Sequence, residues 1–505
     1  AFSADGRIIA AGTQESSVGL WDATTGKFLA DMVSLDDQDW LAVTPDGLFD
    51  GTPAAWNQIL WRFSPQLYDV APVESFFNEF YYPGLLSELF SGKRPRAAVN
   101  LEQKDRRQPK LKLSTDVAAT ETTARRVKVK LDIAEAAAGA RDVRLFRNGS
   151  LVKAWRGDAL KGQPQTTLET EIQISAGENR LTAYAFNRDN VKSTDATLTI
   201  KGADSLKRTG TAYLLTVGVN QYANPEFNLR FAVADASDFA AELQQQQTKL
   251  KRYERIEVIS LTDQQATKAN VMKALATIAA QAQPEDAVVF YFAGHGTAEQ
   301  NQFYLIPHDL GYRGARNQLT AASVKLVLSR SISDRELEQA FESVNAQQLL
   351  LVIDACNSGQ ALEAAEKRRG PMNSKGLAQL AYEKGMYVLT ASQSYQAAIE
   401  PEDLKHGLLT YTLIEEGLKR MAADAEPKDG IIVLREWLNY ASERVPQLQR
   451  ERMRQAGSRR LKLAYVEGEE RLPKAEDRNV QRPRVFYRRE LETQPFVILG
   501  AAPKQ

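Results

Sequence analysis

Two residues that can cooperate in nucleophilic catalysis follow two apolar stretches of the chain. Cys356 is the only cysteine among the 505 residues, and His295 is one of three histidines. His295 stands between two glycines after the apolar stretch VVFYFA, and Cys356 stands in DACNSG after QLLLVI. An imidazole that removes the proton of a thiol makes the sulfur a strong nucleophile. If the two stretches form neighbouring strands, we expect the two side chains to face each other as a Cys–His pair.

Such a pair predicts cleavage of an acyl bond. The Cys356 thiolate attacks a peptide carbonyl, and His295 protonates the leaving amine and later activates water. The backbone N–H groups of Cys356 and Gly296 are expected to bind the developing oxyanion. The glycines that flank His295 are expected to let the backbone turn sharply and approach the substrate. The alternative for Cys356 is a small buried apolar side chain, a common role of lone cysteines.

The strands that carry this pair belong to a region of alternating strand and helix patterns that begins near Tyr213. The continuous apolar runs AYLLTVGV, RIEVISL, DAVVFYFAG, QLLLVID and GMYVLTAS predict strands buried on both faces. Helical patterns lie between them, and Ser333 with Glu336 predicts a capping box. The alternation predicts an α/β three-layer sandwich with a mostly parallel sheet. Such sheets carry their chemistry at the carboxyl ends of the strands.

The pair of motifs YFAGHG and IDACNSG resembles the caspase-like cysteine peptidases. It is more similar to metacaspases and their bacterial relatives than to animal caspases. The spacing from His295 to Cys356 is 61 residues (356 minus 295), against roughly 50 in caspases. The resemblance covers about residues 208–465, in which ASQSYQAAIE and HGLLTYTLIEEGL resemble the small-subunit strand, loop and helix. It implies a caspase-like peptidase domain that acts as a thiol protease, a hydrolase of polypeptides.

The resemblance also implies a pocket for the substrate residue before the scissile bond, called P1. Metacaspases line this pocket with two acidic residues, which correspond here to Asp354 and to Asp235 in NLRFAVADA. Ala234 stands where the family usually has Asn. Two carboxylates would bind Arg or Lys by charge-assisted hydrogen bonds. The alternatives are that Asp354 caps a strand and Asp235 begins a helix, or that Arg230 selects Asp at P1.

A basic loop predicts self-processing. The segment 363–377 contains Lys367, Arg368 and Arg369, surrounded by Gly, Pro, Asn and Ser. Exposed loops of this composition are the segments that proteases cleave, and the resemblance places the linker between large and small subunits here. We expect autocatalytic cleavage of a zymogen after Lys367 or Arg368, and less readily after Arg369 or Lys375. The alternative is a solvated basic turn that is not processed.

The remaining histidines do not predict a metal site. His308 is interpreted as a surface or structural residue, although a loop there could reach the site. His406 precedes a predicted helix and is interpreted as a cap-region residue. The three histidines are spread over 111 residues (406 minus 295) without a paired ligand spacing. We therefore expect no metal and no cofactor, and the sequence is uninformative about a calcium requirement.

Other modules flank the peptidase-like region. The repeat of AFSADGRIIAAGT in AVTPDGLFDGT, 41 residues later, predicts a partial WD-repeat β-propeller over residues 1–70, either the last blades of a larger propeller or an open two-sheet remnant. Residues 71–109 are predicted to form a helical bridge and linker. Alternating strands and an Asn-Gly turn predict an immunoglobulin-like β-sandwich over residues 110–203. Residues 466–505 are assigned to a C-terminal extension. We expect the propeller and sandwich modules to bind protein partners.

Composition excludes some classes of partner. The 64 basic and 64 acidic residues balance, so neither nucleic acid nor an anionic membrane is expected to bind. The chain opens with Ala1, which indicates a fragment whose native N-terminus is missing, and the lack of a signal-peptide pattern favours a cytoplasmic location. Three functions stay open: an endopeptidase, an interaction scaffold with an inactive caspase-like domain, and an acyl-transferring ligase. Retention of both Cys356 and His295 favours the endopeptidase.

Overall fold

The computed structural model describes residues 1–500 apart from positions 4, 15, 37–38, 65–68, 118–120, 300–301, 358–374, 392–403, 426, 456–479 and 488–494. The described chain divides into two compact units. The first contains residues 1–207, and the second contains nearly all of residues 208–500.

The first unit begins with one antiparallel sheet in chain order, formed by β1 Ile8–Gly12, β2 Val18–Asp22, β3 Phe28–Ser34, β4 Trp40–Val43 and β5 Phe49–Gly51. A turn at Asp46-Gly47 connects β4 to β5, and Gly47 has a φ of 96°. Both copies of the sequence repeat contribute strands to this single sheet. The prediction of WD-repeat blades is therefore not confirmed.

Short elements follow this sheet: α1 Pro53–Trp56, β6 Leu60–Arg62, β7 Val70–Pro72, α2 Phe77–Phe80 and α3 Leu85–Phe90. The aromatic segment predicted as a helical bridge forms α2 and α3 rather than one helix. Pro83 and Gly84 stand between them, and Gly84 has a φ of 84°. Proline removes a backbone donor and a left-handed residue breaks the helical path, so the helix is interrupted there.

Residues 110–202 form two antiparallel-rich sheets around a shared core. Their strands are β8 Lys110–Thr115, β9 Glu121–Thr122, β10 Arg126–Ala134, β11 Arg141–Arg147, β12 Ser150–Asp158, β13 Thr166–Gln173, β14 Gly177–Phe186 and β15 Ala196–Gly202. The sheet orders are β13-β10-β8 and β12-β11-β14-β15-β9. The predicted Asn148-Gly149 turn joins β11 to β12 with both residues at positive φ. The sandwich is present, whereas an immunoglobulin-like class is not confirmed.

The second unit is built on a mixed sheet. The strands of this sheet are β16 Thr211–Gly218, β17 Arg255–Thr262, β18 Ala287–Glu299, β19 Gln302–Ile306, β20 Ile332–Ser333, β21 Gln348–Asn357, β22 Tyr387–Thr390 and β24 Arg484–Phe486. A separate two-stranded sheet is formed by β23 Ile432–Val433 and β25 Val497–Leu499. The order is β17-β16-β18-β21-β22-β24; the first four pairings are parallel and the last is antiparallel. The segment 466–505, assigned to an extension, thus contributes β24 to this sheet, and its β25 pairs with β23.

Helices cover both faces of this sheet: α4 Ala232–Leu250, α5 Lys268–Gln281, α6 Ala321–Arg330, α7 Asp334–Glu342, α8 Lys375–Lys384, α9 Leu408–Tyr411 and α10 Leu434–Gln455, with a π-helix at Thr412–Lys419. Phe239 of α4 stacks on Tyr291 of β18, with ring centroids 4.3 Å apart. Phe341 of α7 contacts Phe290, the preceding residue of β18, which faces the opposite side of the sheet. The predicted three-layer arrangement is therefore present, and the Ser333–Glu336 capping box begins α7.

Candidate active site

The two residues predicted as a catalytic pair lie side by side on neighbouring strands. β18 and β21 pair in parallel, and His295 is the register partner of Cys356. The two apolar stretches therefore form neighbouring strands, as the expected Cys–His pair requires. The Cys356 side chain lies outside the described part of the structure, so the pairing concerns the backbones.

The predicted turn at Gly294-His295-Gly296 is wrong, because these residues lie inside β18. The parallel ladder with β16 ends at Ala293, whose partner is Gly218. From His295 onward the same strand pairs with β19 in an antiparallel hairpin, while pairing with β21 continues to Gly296. Because β19 pairs with β18 beyond the end of β16, the backbone of β18 stays hydrogen-bonded on both sides and continues as a strand.

Gly294 and Gly296 are needed because neighbouring side chains leave no room for a Cβ atom, and not because of their backbone conformation. Both lie in the strand, outside the left-handed region. A Cβ atom on Gly294 would lie 3.0 Å from the Tyr222 hydroxyl oxygen, and one on Gly296 would lie 2.8 Å from the Phe303 ring. Each position thus leaves room for an aromatic side chain. The expected oxyanion role of the Gly296 and Cys356 N–H groups stays a prediction.

His295 is held by two residues that the sequence interpretation missed. Its backbone N–H donates to the Tyr222 hydroxyl at 2.8 Å, and its Nε2 atom lies 2.7 Å from the Phe227 carbonyl oxygen. The rings of Tyr222 and Phe227 lie 5.0 and 6.3 Å from the imidazole. A carbonyl can only accept, so Nε2 carries the proton of the neutral ring and Nδ1 is the basic nitrogen.

Burial sets the charge of this histidine. The loss of water around the ring lowers the pKa of His295 to about 4; the hydrogen bond to Phe227 opposes this shift, and Arg316 adds to it. Arg316 packs over the Phe227 ring at 5.8 Å. His295 is therefore a neutral imidazole at neutral pH, which is the form that can accept a proton.

The two aspartates predicted to line a P1 pocket lie on either side of Gly407. Asp235 is in the first turn of α4, and Asp354 is in β21. A Cβ atom on Gly407 would lie 3.2 Å from Oδ2 of Asp235 and 3.3 Å from Oδ2 of Asp354. Their exposed fractions are 4% and 8%. The structure brings the two carboxylates together, and their role toward a substrate stays a prediction.

His406 joins this acidic pair. Its Nδ1 atom lies 2.8 Å from Oδ1 of Asp235, and the Gly407 N–H lies 3.2 and 3.1 Å from the two oxygens of the same carboxylate. His406 does precede α9, as expected of a cap-region residue, with Gly407 as the N-cap. The additional contact with Asp235 was not predicted. Asp235 also lies in the first turn of α4, so stabilisation of that helix end stays an alternative role for its charge.

Asp354 has hydroxyl donors and an elevated pKa. Thr410 Oγ1 donates to its Oδ2 atom at 2.6 Å, and the Tyr291 hydroxyl lies 3.4 Å from the same oxygen. Burial, followed by the charge of Asp235, raises the pKa of Asp354 to about 7. Burial also raises the pKa of Asp235. At neutral pH Asp354 is thus partly protonated, because burial disfavours its charged form and the neighbouring Asp235 carboxylate adds to this effect.

The remaining candidate residues either have contacts of their own or lie outside the described residues. Arg230, the residue that left specificity for Asp open, is exposed, and its carbonyl accepts a hydrogen bond from the Asn220 amide at 3.0 Å. His308 Nδ1 lies 2.6 Å from the Gln221 carbonyl, a structural contact. The self-cleavage candidates Lys367, Arg368 and Arg369 lie outside the described residues, and of Lys375 only the backbone, at the start of α8, is described.

Clusters of metal-ligating side chains and membrane-spanning helices are both absent from the described residues. Within the described ranges, no group of three or more His, Cys, Asp or Glu side chains has a metal-binding arrangement. Of the helices in the same ranges, none combines the length and the apolar character that crossing a membrane requires.

Comparison with known proteins identifies the second unit. Residues 211–462 match the family model of the caspase domain, Peptidase_C14. The chain is similar to metacaspase-1B of Aspergillus terreus, at 26% identity over 202 residues, and to metacaspase-1A of Aspergillus oryzae, at 27% over 172 residues. These alignments cover 37% and 31% of this chain and 48% and 36% of the relatives. The chain therefore spans less than half the length of each relative.

Proposed function

Residues 211–462 belong to the caspase-domain family, and from this premise we propose that the chain is a cysteine endopeptidase with Cys356 as nucleophile and His295 as base. The observation that carries the proposal is the in-register pairing of these residues on β18 and β21. Backbones paired in a parallel sheet are less than about 5 Å apart, which is within reach for two side chains to exchange a proton.

The surroundings of His295 support the role of a base. With Nε2 hydrogen-bonded to the Phe227 carbonyl, Nδ1 accepts the thiol proton as the Cys356 sulfur attacks the peptide carbonyl. The same proton passes to the leaving amine when the C–N bond breaks. Water then attacks the thioester and returns a proton through His295 to the sulfur.

The acidic pair supports a preference for substrates with Arg or Lys at P1. Asp235 and Asp354 are buried carboxylates that flank one point in space, where an ammonium or guanidinium group would meet both. A cleavage preference for Asp is less compatible with a pocket lined by two buried carboxylates, because a substrate carboxylate would be repelled there.

Peptides that differ only in P1 test this function. Matched reporter peptides with Arg, Lys or Asp at P1 are incubated with the full chain and with its Cys356→Ala and His308→Ala variants. We expect cleavage after Arg and Lys, no cleavage by Cys356→Ala, and wild-type rates within about threefold for His308→Ala. Undiminished turnover by folded Cys356→Ala would remove the proposal. A folded wild type that cleaves nothing would favour an interaction scaffold.

The single cysteine makes a second test possible. Iodoacetamide should modify one site per chain, because Cys356 is the only thiol. We expect loss of peptidase activity in proportion to this modification. Full modification with retained turnover would exclude a thiol nucleophile.

Self-processing in the segment 363–377 is part of the same proposal. Its support is the basic triplet Lys367, Arg368 and Arg369 and the expected preference for basic P1 residues. Intact-mass spectrometry of wild-type and Cys356→Ala chains would detect the two fragments. Equal cleavage in both would identify a contaminating protease, and an uncut, fully active wild type would exclude activation by cleavage.

A further inference from the structure

His406 and Gly407 lie against the acidic pair Asp235 and Asp354. The proposed P1 pocket assigns no role to these two residues. Gly407 has φ −61° and ψ 152°, a conformation open to any residue. Its lack of a side chain is therefore a matter of space. A methyl group there would press against Oδ2 of both Asp235 and Asp354. The glycine keeps the gap between the two carboxylates free.

His406 acts on one carboxylate of the pair. Its Nδ1 atom contacts Asp235 Oδ1 at 2.8 Å, and its Nε2 atom lies 3.4 Å from Asp238, which is more than half exposed. Asp354 is held instead by the hydroxyl groups of Thr410 and Tyr291. One carboxylate thus has a histidine that can be cationic, whereas the other has neutral donors.

We propose that His406 is a positioning residue that orients Asp235 and that Gly407 keeps the gap open, so that the acidic pair binds one cationic group. This inference rests on the proposed function, in which that cation is the Arg or Lys side chain at P1. It goes beyond it by assigning the selectivity of the pocket to a segment 171 residues away from Asp235 in the chain.

The charges around Asp235 and Asp354 indicate why the two carboxylates would bind a single cationic group. Asp235, Asp238 and Glu415 surround His406 and favour its protonated form, and burial opposes this. Asp354 faces Asp235 and Tyr291, and its elevated pKa of about 7 means that a proton occupies it part of the time. A bound guanidinium would replace that proton, so binding should release protons near neutral pH.

Peptides with Arg or citrulline at P1 test the inference in the full chain, because citrulline has nearly the same shape without the charge. For His406→Ala we expect the Arg-to-citrulline ratio of kcat/KM to fall about tenfold, through KM, with citrulline cleavage within about twofold of the wild type. Gly407→Ala should lower the ratio by a similar factor through crowding. Equal losses on both substrates would show a merely structural role and overturn the inference.

Two further variants separate the contributions. His406→Asn places an amide nitrogen where Nδ1 stands and should restore most of the ratio, because it can still donate to Asp235. Lys405→Gln removes an exposed positive charge from the neighbouring residue and should leave the ratio unchanged. Failure of the Asn variant to recover any selectivity, or an equal loss in Lys405→Gln, would contradict the assignment.

A binding measurement keeps this inference separate from the proposed function. Agmatine, the decarboxylated form of arginine, is titrated into the Cys356→Ala variant by calorimetry at neutral pH, in two buffers of different ionisation enthalpy. We expect binding with proton release, weakened about tenfold by His406→Ala. If agmatine binds in this way but the wild-type chain cleaves none of the peptides, the peptidase proposal would end and the cation site would remain. Absence of agmatine binding, or binding unaffected by His406→Ala, would overturn the inference whatever the peptidase activity.

Discussion

His295 and His406 are both buried in the second unit, and their surroundings shift their pKa values in opposite directions. His295 is 4% exposed, lies between aromatic rings and contacts a carbonyl, and burial lowers its pKa to about 4. His406 is 8% exposed and contacts Asp235, and that hydrogen bond raises its pKa despite burial. His295 loses more of its hydration than His406 does, and the two residues also have different partners.

The comparison teaches that the partner, rather than burial alone, decides the charge of a buried histidine. A carbonyl dipole compensates little for lost hydration, whereas an ionised carboxylate compensates for it well. The neutral histidine is the register partner of Cys356, where the proposed function requires a base. The histidine that favours the cationic form stands beside the acidic pair, where it stabilises a negative charge.

The largest effect expected from this comparison follows removal of the neutral histidine. His295→Ala should lower kcat/KM by about a thousandfold or more on every substrate, because thiol deprotonation and amine protonation both need the ring. Hydrolysis rates and the rate of Cys356 alkylation would be measured together. A variant that retains activity within about tenfold would show that another group is the base.

The opposite pKa shifts can be measured directly by NMR. In ¹⁵N-histidine-labelled protein, His295 should titrate near pH 4 and His406 above the ordinary value of 6.5. The shift of the His295 pKa from 6.5 to about 4 means that the protein favours the neutral ring over the protonated ring by about 3 kcal/mol, relative to a histidine in water. Spectra of His295→Gln and His406→Asn would assign the signals. Titration of both near 6.5 would break the comparison.

Asp354 should give the acidic pair its own pH dependence. Its pKa is raised to about 7, so it ionises and gains affinity for a cation as the pH rises through that value. We expect kcat/KM for Arg peptides to increase across this range while that for citrulline peptides stays level. Asp354→Asn should remove this rise and cost about a hundredfold on Arg peptides alone. Loss of the rise for both peptides would place Asp354 outside the pocket.

The smallest effect concerns the support of His295. Tyr222→Phe removes the hydroxyl that accepts the His295 N–H and leaves a buried donor unpaired, so kcat/KM should fall about tenfold. Tyr304→Phe is the matched control, because Tyr304 bonds only the nearby Gln302 side chain among its described partners. Its activity should stay within about twofold. Equal effects of the two changes would mean that the Tyr222 contact has no special role.

Local patterns predicted the elements that depend on neighbours in the chain. The Asn148-Gly149 turn and the Ser333–Glu336 capping box are present, because their hydrogen bonds join residues at most a few positions apart. The glycines around His295 were predicted to make a turn and instead accommodate Tyr222 and Phe303. A glycine that allows a turn and a glycine that leaves room for a ring look identical in sequence.

By itself the sequence determined the alternating strands and helices and the Cys356 and His295 candidates, since each follows from a short pattern. The two acidic positions were implied by the resemblance to metacaspases. Only the tertiary structure decided the partners: the Phe227 carbonyl that selects the tautomer of His295, and the contact between His406 and Asp235. Those partners are 68 and 171 residues apart in the chain. Hydrogen bonding and desolvation depend on distance in space, so the charge states of both histidines emerge only when the sheet and its helices pack.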